Sequence, residues 1–462
     1  MFDKKVYLER RELLKRLVGN GLVLLLGNEE SSMNYRDNLY PFRQDSSFLY
    51  FFGIDRPALI GIIDIDNDSE IIFGDDFTTE EMVWTGYRQP LNLISESIGI
   101  SIVKSKKGLW SFMRLATEQN RVVHFLPPYR PEQRQLLTDL LGVTSGTLTK
   151  MHSISLIKAI VAQRSYKSAV EIEEINRAVN TTASMQFSAI TMARAGMTEA
   201  QIAGKMQEIA IGEGGNLSFP SILTQQGQIL HNGYSQSLLT EGNLVLCDCG
   251  AETGMHYAGD LTRTFPVSAN FTTAQRDIYE IVYRAHESAV AMLQPGKLFR
   301  DIHLHACEKL TEGLQQLGVM KGDVKASVVQ GAHALFFPCG LGHMMGLDTH
   351  DMENLGEEHV GYTEEIKKST QFGLKSLRLA KPLEEGFVVT IEPGLYFNPA
   401  LIDEWESKNL FRSFINYDTL NAYRNLSGIR IEEDFVITQN GSSLLGNQLA
   451  KTASEIEEIR IQ

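Results

Sequence analysis

The sequence predicts a protein of mixed α/β (α+β) class with two domains. The chain has 462 residues, more than a single ordinary hydrophobic core contains. Its hydrophobic content of 43% and charged content of 22% are typical of a folded globular protein. Near residue 165 short apolar runs give way to long helical periods. We therefore expect one domain at residues 1–165 and a second at residues 166–462.

The first 165 residues alternate short apolar runs, typical of strands, with helical patterns. Apolar residues recur at helical spacing in residues 7–17 and 131–141. The short apolar runs are residues 22–26, 46–54, 58–65, 69–74, 99–105 and 121–126. This order predicts an α/β layer, and no residue in it points by itself to a particular chemistry.

Residues 166–462 predict the order helix, helix, hairpin, followed by the same order with longer connections. The first helix is expected at 169–194, and Thr198 with Gln201 forms a capping box for the next. The second helix pair is expected at 273–293 and 298–317. Strand signals follow each pair, in LVLCDCGA and MHYAGDLTRTFPV and later in FVVTIEPGLYF and GIRIEEDFVIT.

Charge and cysteine content narrow the possible partners and compartment. A net charge of −14 argues against a nucleic-acid partner, which calls for a basic face. The charged start resembles no signal peptide, and the apolar run LVLLLG is too short to span a membrane. Four cysteines are too few for a disulfide framework in a chain of this length. We expect a protein of the reducing cytoplasm that binds neither nucleic acid nor membrane.

The stretch NLVLCDCGAETGMHYAGDLTRTFPV places Asp248 and Asp260 on either side of a glycine-bearing turn. In a hairpin, the pleat can bring both carboxylates to one face and turn Cys247 and Cys249 to the other. Two solvated aspartates beside a turn would explain the pair equally well, because aspartate is a common turn residue. We interpret the cysteines as small buried residues, since no second cysteine pair completes a zinc site.

Three further stretches favour a metal site. The segment CGLGHMMGLDTHD contains His343 and His350, TIEPGLY contains Glu392, and GIRIEED contains Glu432. A glutamate within an apolar strand is costly to bury unless it meets a cation or an arginine. Two aspartates, two glutamates and one histidine form an oxygen-rich ligand set that favours Mn²⁺ over a thiolate-bound zinc. Two cations that share such carboxylates can activate a water and polarise a carbonyl.

These motifs resemble those of the pita-bread metallopeptidases and, within them, the aminopeptidase P group. DCG, GDLTRTFPV, GLGHMMG, TIEPG and GIRIEED occur in this order, and YPFRQDSSFLYFFGI is similar to a stretch of that group's amino-terminal domain. The resemblance covers nearly the whole chain. It implies a C-terminal pita-bread fold preceded by an N-terminal aminopeptidase P-type α/β domain. Methionine aminopeptidases lack such an N-terminal domain, and creatinases do not keep the metal ligands.

The resemblance implies two divalent cations, most simply Mn²⁺, and a set of site residues. The implied metal ligands are Asp248, Asp260, His343, Glu392 and Glu432, with Asp260 and Glu432 shared by both ions. The implied catalytic residues are His231, His350, Glu392 and Arg430, and Tyr396 is the implied substrate-binding residue. Glu392 would move protons, and His350 would stabilise the tetrahedral oxyanion.

The resemblance further implies release of the N-terminal residue from peptides with proline at the second position. It also implies a homo-oligomer, either a dimer or a tetramer. Two alternatives remain open. A Xaa-Pro dipeptidase, or prolidase, has the same fold and metals but cleaves only dipeptides. A pita-bread protein that has lost catalysis and only binds a partner, as in certain histone chaperones, is disfavoured because all five ligands are kept.

Three features depart from the family pattern, and several histidines stay outside it. The spacing from Asp248 to Asp260 is one residue longer than usual, and Cys339 stands where many relatives have histidine. Residues 397–425 form an insertion, which we expect at the surface near the site or in a subunit contact. His303 and His305 diverge on a predicted helix and cannot share a metal. We interpret the other histidines, His333 among them, as packed or exposed.

Overall fold

The computed structural model describes residues 1–461 and divides the chain into two compact units. The first comprises Met1–Arg164 together with Asn354–His359, and the second comprises the remaining described residues. The sequence placed Asn354–His359 in the second domain, whereas the structure assigns it to the first unit. Within residues 1–461, no helix has both the length and the apolar composition needed to cross a membrane.

The first unit is built on a five-stranded sheet with the strand order β4-β3-β2-β1-β5. The pairs β1–β5 and β3–β4 are parallel, and the others are antiparallel. The strands are β1 (Leu22–Leu26), β2 (Ile60–Asp64), β3 (Ser69–Phe73), β4 (Ile102–Lys104) and β5 (Val123–His124). The helices are α1 (Lys4–Val18), α2 (Ser46–Phe52), α3 (Thr79–Thr85), α4 (Leu91–Ser97), α5 (Gly108–Glu118), α6 (Pro131–Leu141), α7 (Ser145–Leu148) and α8 (Ile154–Arg164).

Helix α2 corrects one expectation, because residues 46–54 have the short apolar run of a strand. All seven residues of α2 are buried, so neither a helical nor an alternating pattern is visible in the sequence. The Asp45 side chain accepts a hydrogen bond from the Phe48 N–H and caps the helix. Gly53 ends it in the left-handed conformation, with φ of 61°.

The second unit contains the predicted pairs of long helices, with several small sheets. Its helices are α9 (Ala169–Met192), α10 (Glu199–Gly212), α11 (Thr273–Val290), α12 (Phe299–Gln316), α13 (Val324–Gln330), α15 (Pro399–Ser407), α16 (Tyr417–Leu420) and α17 (Ala453–Ile461), and α14 (Glu357–Val360) begins in the Asn354–His359 segment. Its strands are β6 (Asn216–Leu217), β7 (Ile222–Thr224), β8 (Leu244–Cys249), β9 (Ala251–Glu252), β10 (Leu261–Pro266), β11 (Val388–Ile391), β12 (Gly394–Tyr396), β13 (Gly428–Arg430), β14 (Glu433–Thr438) and β15 (Gly441–Leu444).

Three of these long helices, α9, α10 and α11, begin with a capping box. The pair predicted from the sequence, Thr198 with Gln201, caps α10 through bonds in both directions. Helix α11 has the same arrangement, with Thr272 and Gln275. Each box satisfies backbone N–H groups that would otherwise lack partners at the first turn, so the helix starts are fixed locally.

The insertion at residues 397–425 folds onto the second unit. Helix α15 buries Trp405, whose ring lies 6.0 Å from that of Phe372. Ile415 forms a β-bridge with Met320, and the Asn416 N–H donates to the Val319 carbonyl at 3.0 Å. The insertion is therefore a packed element, and its residues do not line the cavity of the candidate site.

Candidate metal centre

Strands β8 and β10 bring Asp248 and Asp260 to the same end of one hairpin. The two strands pair antiparallel, with Cys249 opposite Leu261 and Asp248 opposite Thr262. The hairpin's longer turn includes His256 in the left-handed region, at φ of 67°. Asp248 and Asp260 are buried, at 8% and 4% exposure, and so they are not the solvated turn aspartates of the alternative interpretation.

Glu432 reaches the hairpin through the backbone between β13 and β14. It forms a β-bridge with Thr262, and the Glu432 N–H donates to the Thr262 carbonyl at 3.1 Å. The Thr262 hydroxyl donates to Glu432 Oε2 at 2.7 Å, which orients the carboxylate. Nearby, the Asp260 N–H donates to Asp434 Oδ2 at 3.0 Å. These bonds place the Asp260 and Glu432 carboxylates together.

His343 and Glu392 come together because residues 341–345 run beside β11. The Glu392 N–H donates to the Leu341 carbonyl at 2.7 Å, and the Thr390 N–H donates to the His343 carbonyl at 3.1 Å. Glycine is required at position 342, since a Cβ there would lie 2.0 Å from the Thr390 oxygen. This close approach explains the glycine that precedes His343 in GLGH.

The side chains of these segments converge on one point. Ligand atoms of Asp260, His343 and Glu432 all lie within 4.8 Å of one another. His343 Nε2 is 3.4 Å from Asp260 Oδ2 and 3.6 Å from Glu392 Oε1. Asp248 is the fifth member and faces Arg430 with its Oδ2. The arrangement suits hard-to-borderline cations, because four of the five side chains offer carboxylate oxygens.

Electrostatics and unsatisfied atoms show that this cluster fits divalent cations. Burial, with the nearby carboxylates of Glu432 and Asp248, raises the pKa of Asp260 well above its usual value. Burial, with Glu392 and Asp248, does the same to the pKa of Glu432. Among residues 1–461, Asp248 Oδ1 and Asp260 Oδ1 are buried without a hydrogen-bond partner. Two divalent cations would balance four carboxylates and supply partners for these oxygens.

Arg430 joins the cluster to a second group of polar side chains. Its guanidinium donates to Asp248 Oδ2 at 2.6 Å, to the Tyr396 hydroxyl at 2.7 Å and to the Thr262 hydroxyl at 3.2 Å. Tyr396 is only 2% exposed and lies outside the set of cavity-lining residues in the described chain. The structure therefore places Tyr396 behind Arg430, and direct contact with substrate stays a prediction.

His350 lies beside His343 and brings two residues that the sequence did not single out. The two imidazole rings are 4.3 Å apart. His350 Nδ1 is 2.6 Å from Glu353 Oε2, and the Arg378 Nε–H donates to Glu353 Oε1 at 3.3 Å. The hydrogen bond with His350 and the charge of Arg378 outweigh partial burial and lower the pKa of Glu353 to about 2. Glu353 therefore fixes the orientation of His350.

The converging side chains line a cavity of about 560 Å³. Its wall includes all five predicted metal ligands, together with His231, His350 and Arg430. His231 is exposed and joins an apolar wall formed by Phe219, Pro220, Ile222 and Leu230. Cys339 lines the cavity too, and burial raises the pKa of its thiol to about 12.

Cys247 and Cys249 point away from this cavity. Both are fully buried, and Cys247 Sγ lies 3.8 Å from Met206 Sδ of α10. The Gln186 amide of α9 is 3.4 Å from Cys249 Sγ and donates to the Cys247 carbonyl at 3.0 Å. The two thiols therefore pack between the hairpin and the helices.

The fold and site define a metal-dependent hydrolase, with buried carboxylates and one imidazole at the base of a cavity. The chain belongs to metallopeptidase family M24, whose model matches residues 173–439. The model for the aminopeptidase P N-terminal domain matches residues 7–124. The enzyme is therefore a peptidase, the second unit has the pita-bread fold, and the predicted fold class is confirmed.

The chain is similar both to proteins named Xaa-Pro aminopeptidase and to proteins named Xaa-Pro dipeptidase. It is 28% identical to the Xaa-Pro aminopeptidase of Escherichia coli, over 99% of this chain and 98% of that one. It is also 28% identical to the human Xaa-Pro dipeptidase, over 97% and 92% of the two chains. The solved structure of E. coli aminopeptidase P with the inhibitor Pro-Leu superposes with a TM-score of 0.81. That match is 27% identical and covers 100% of this chain and 99% of the other.

Proposed function

We propose that this protein is a Xaa-Pro aminopeptidase, which releases the N-terminal residue from peptides with proline at the second position. One observation carries the proposal: Asp260, His343 and Glu432 converge at the base of a cavity also lined by His350 and Arg430. The matching N-terminal domain and the similarity to E. coli aminopeptidase P support the same activity.

The proposed cofactor is a pair of divalent cations, with Mn²⁺ as the metal that the ligand chemistry favours. Asp248, Asp260, His343, Glu392 and Glu432 would hold them. When bound, such cations lower the pKa of a water and polarise the substrate carbonyl. Asp260 and Glu432 would be shared by the two ions, as the family resemblance implies, and their carboxylates lie within 4.8 Å of each other.

Glu392 and His350 are the proposed proton-handling and oxyanion-stabilising groups. The Glu392 side chain is 19% exposed on the cavity wall, so its carboxylate can reach a substrate. Burial raises the pKa of Glu392 above its usual value, and a carboxylate placed on the cavity wall can act as a general base. His350 donates to Glu353 through Nδ1, and Nε2 would donate to the developing oxyanion when the ring also carries a proton there.

The apolar wall of the cavity is the proposed seat of the proline. Phe219, Pro220, Ile222 and Leu230 offer a surface for a ring that has no N–H to donate. Arg430 also lines the cavity and donates to Asp248 Oδ2 at 2.6 Å, which fixes its position. A tertiary amide must be recognised by its shape, and an apolar wall beside fixed charges provides such recognition.

A Xaa-Pro dipeptidase is the second candidate, because the human dipeptidase matches as well as the bacterial aminopeptidase does. The two activities differ in whether residues beyond the proline are accepted. The match to the aminopeptidase P N-terminal domain favours the aminopeptidase. We further propose a cytoplasmic location and a homo-oligomer, either a dimer or a tetramer.

Removal of metal should abolish peptidase activity. We expect protein dialysed against a chelator to lose at least about 99% of its activity, because metal-ion catalysis contributes several kcal/mol to the rate. Added Mn²⁺ should restore activity, and elemental analysis should find two ions per chain at saturation. Full activity in protein shown to be metal-free would exclude the proposed mechanism.

A further inference from the structure

A second cluster of potential ligands lies apart from the catalytic cavity. His303 and Cys307 belong to α12, and His333 belongs to the 3₁₀-helix Ala332–Leu335. One ligand atom from each of the three lies within 4.8 Å of the others. None of the three lines the catalytic cavity in the described chain.

His303 and His305 diverge on α12, as the sequence predicts. His305 points elsewhere, and its Nε2 lies 2.6 Å from the Ser288 hydroxyl. The neighbour of His303 on its own helical face is Cys307, four residues later, with its Sγ 3.6 Å from His303 Nε2. His333 reaches the pair from a distant part of the sequence.

The cluster is buried and poor in hydrogen bonds. His303 and Cys307 are fully buried, and His333 is 5% exposed. In the described part of the chain, His303 Nδ1 has no hydrogen-bond partner, and the His333 ring nitrogens make no hydrogen bond of good geometry, although the Ser327 backbone approaches the ring. A buried polar atom without a partner costs about 1–3 kcal/mol, and most such atoms in native proteins are satisfied.

Packing alone accounts for only part of this arrangement. The His303 ring lies 5.7 Å from the Phe337 ring, so its faces are covered as in an ordinary core. Such contacts cover the ring faces and leave His303 Nδ1 without a partner. A cation that accepts an electron pair from one nitrogen of each ring and from the thiolate would give His333 a partner and hold all three side chains together.

The protonation states also suit a soft cation. Burial lowers the pKa of His303 to about 3 and that of His333 to about 4, so both imidazoles are neutral at neutral pH. The neutral ring is the form that binds metals. Burial raises the pKa of the Cys307 thiol, so binding of a cation there releases one proton to solvent.

We propose that His303, Cys307 and His333 bind one Zn²⁺ ion in a site separate from the catalytic pair. One thiolate and two imidazoles form a ligand set that favours zinc over the hard cations of the carboxylate cluster. The ion would tie α12 to the 3₁₀-helix that leads into residues 336–343. The Phe336 carbonyl, directly after this 3₁₀-helix, accepts a hydrogen bond from the Tyr396 N–H at 2.8 Å. The bound ion would therefore restrict the backbone that leads to Cys339 and His343.

Cobalt can report on this site by absorption alone. Metal-free full-length protein is titrated with Co²⁺, and thiolate-to-cobalt charge transfer is followed in the near ultraviolet. The proposed catalytic ligands include no thiolate, and Cys339→Ser, at a thiol that lines the catalytic cavity, should leave the band unchanged. We expect a band with the intensity of one thiolate–Co²⁺ bond per chain, which is bleached when Zn²⁺ is added. Absence of the band in the unaltered protein would overturn the proposal.

Matched variants assign the band to its ligands. Cys307→Ser should lose the band, whereas Cys249→Ser, at another fully buried cysteine, and Asp260→Asn should keep it. A band that persists in Cys307→Ser would come from another thiol and would refute the site. His333→Gln is a second test of the site that does not depend on whether Cys307→Ser folds. It should raise the Co²⁺ concentration at half-saturation by at least about tenfold, and an unchanged value would refute the site.

Discussion

Asp260→Asn is expected to reduce kcat/KM by about a thousandfold or more. The substitution keeps the size of the side chain but removes a carboxylate at the centre of the ligand cluster, 3.4 Å from His343 Nε2. Metal-ion catalysis contributes several kcal/mol, and each 1.36 kcal/mol is about tenfold in rate. Steady-state kinetics with Mn²⁺ and elemental analysis check both the rate and the number of bound ions.

Asp277→Asn is the matched control for this substitution. Asp277 lies on α11 and does not line the cavity, so the same chemical change should leave kcat/KM within about twofold. Circular dichroism should show that both variants are folded. An Asp260→Asn enzyme that kept activity comparable to the control would mean that the site has been misplaced.

Arg263→Ala is expected to cost about 3–5 kcal/mol of unfolding free energy. The Arg263 guanidinium is fully buried and donates to Glu433 Oε1 at 2.7 Å and to the Glu432 and Ala450 carbonyls at 3.0 and 2.7 Å. Removing it leaves a buried carboxylate and two carbonyls without this partner. Urea unfolding followed by fluorescence measures the change.

Arg177→Ala provides the comparison for stability. The Arg177 side chain is 60% exposed and pairs with Glu173 and Glu174 on the same helix. Exposed pairs of this kind contribute about 0–1 kcal/mol, so the midpoint in urea should hardly move. Similar losses for Arg263→Ala and Arg177→Ala would show that the buried arginine does not stabilise the second unit as argued.

Elements with a local signal could be predicted from the sequence. The helix start at Thr198 follows from its capping box. The orientation of the two cysteines of β8, on the face away from Asp248, follows from the strand pleat. Helix α2 could not be assigned because every residue in it is buried, which removes the periodic pattern. The family model confirms the predicted peptidase class through motifs that are spread over the second unit.

Residues that act through tertiary contacts escaped the sequence analysis. Glu353 and Arg378 are ordinary charged residues until the fold brings them to His350. Likewise, His333 meets Cys307 only because the 3₁₀-helix packs beside α12, and no periodicity links such distant positions. Tyr396 was predicted from resemblance alone, and its position behind Arg430 depends on the pairing of β12 with β13.

A comparison of three substrates with the Mn²⁺-loaded enzyme tests the proposed function most directly. The substrates are a Xaa-Pro-Yaa tripeptide, the Xaa-Pro dipeptide with the same first residue, and the matched Xaa-Ala-Yaa tripeptide. Chromatography measures the free first residue over time. We expect rapid release from the proline tripeptide and at most about 1% of that rate from the alanine tripeptide. Cleavage restricted to the dipeptide would instead identify a Xaa-Pro dipeptidase.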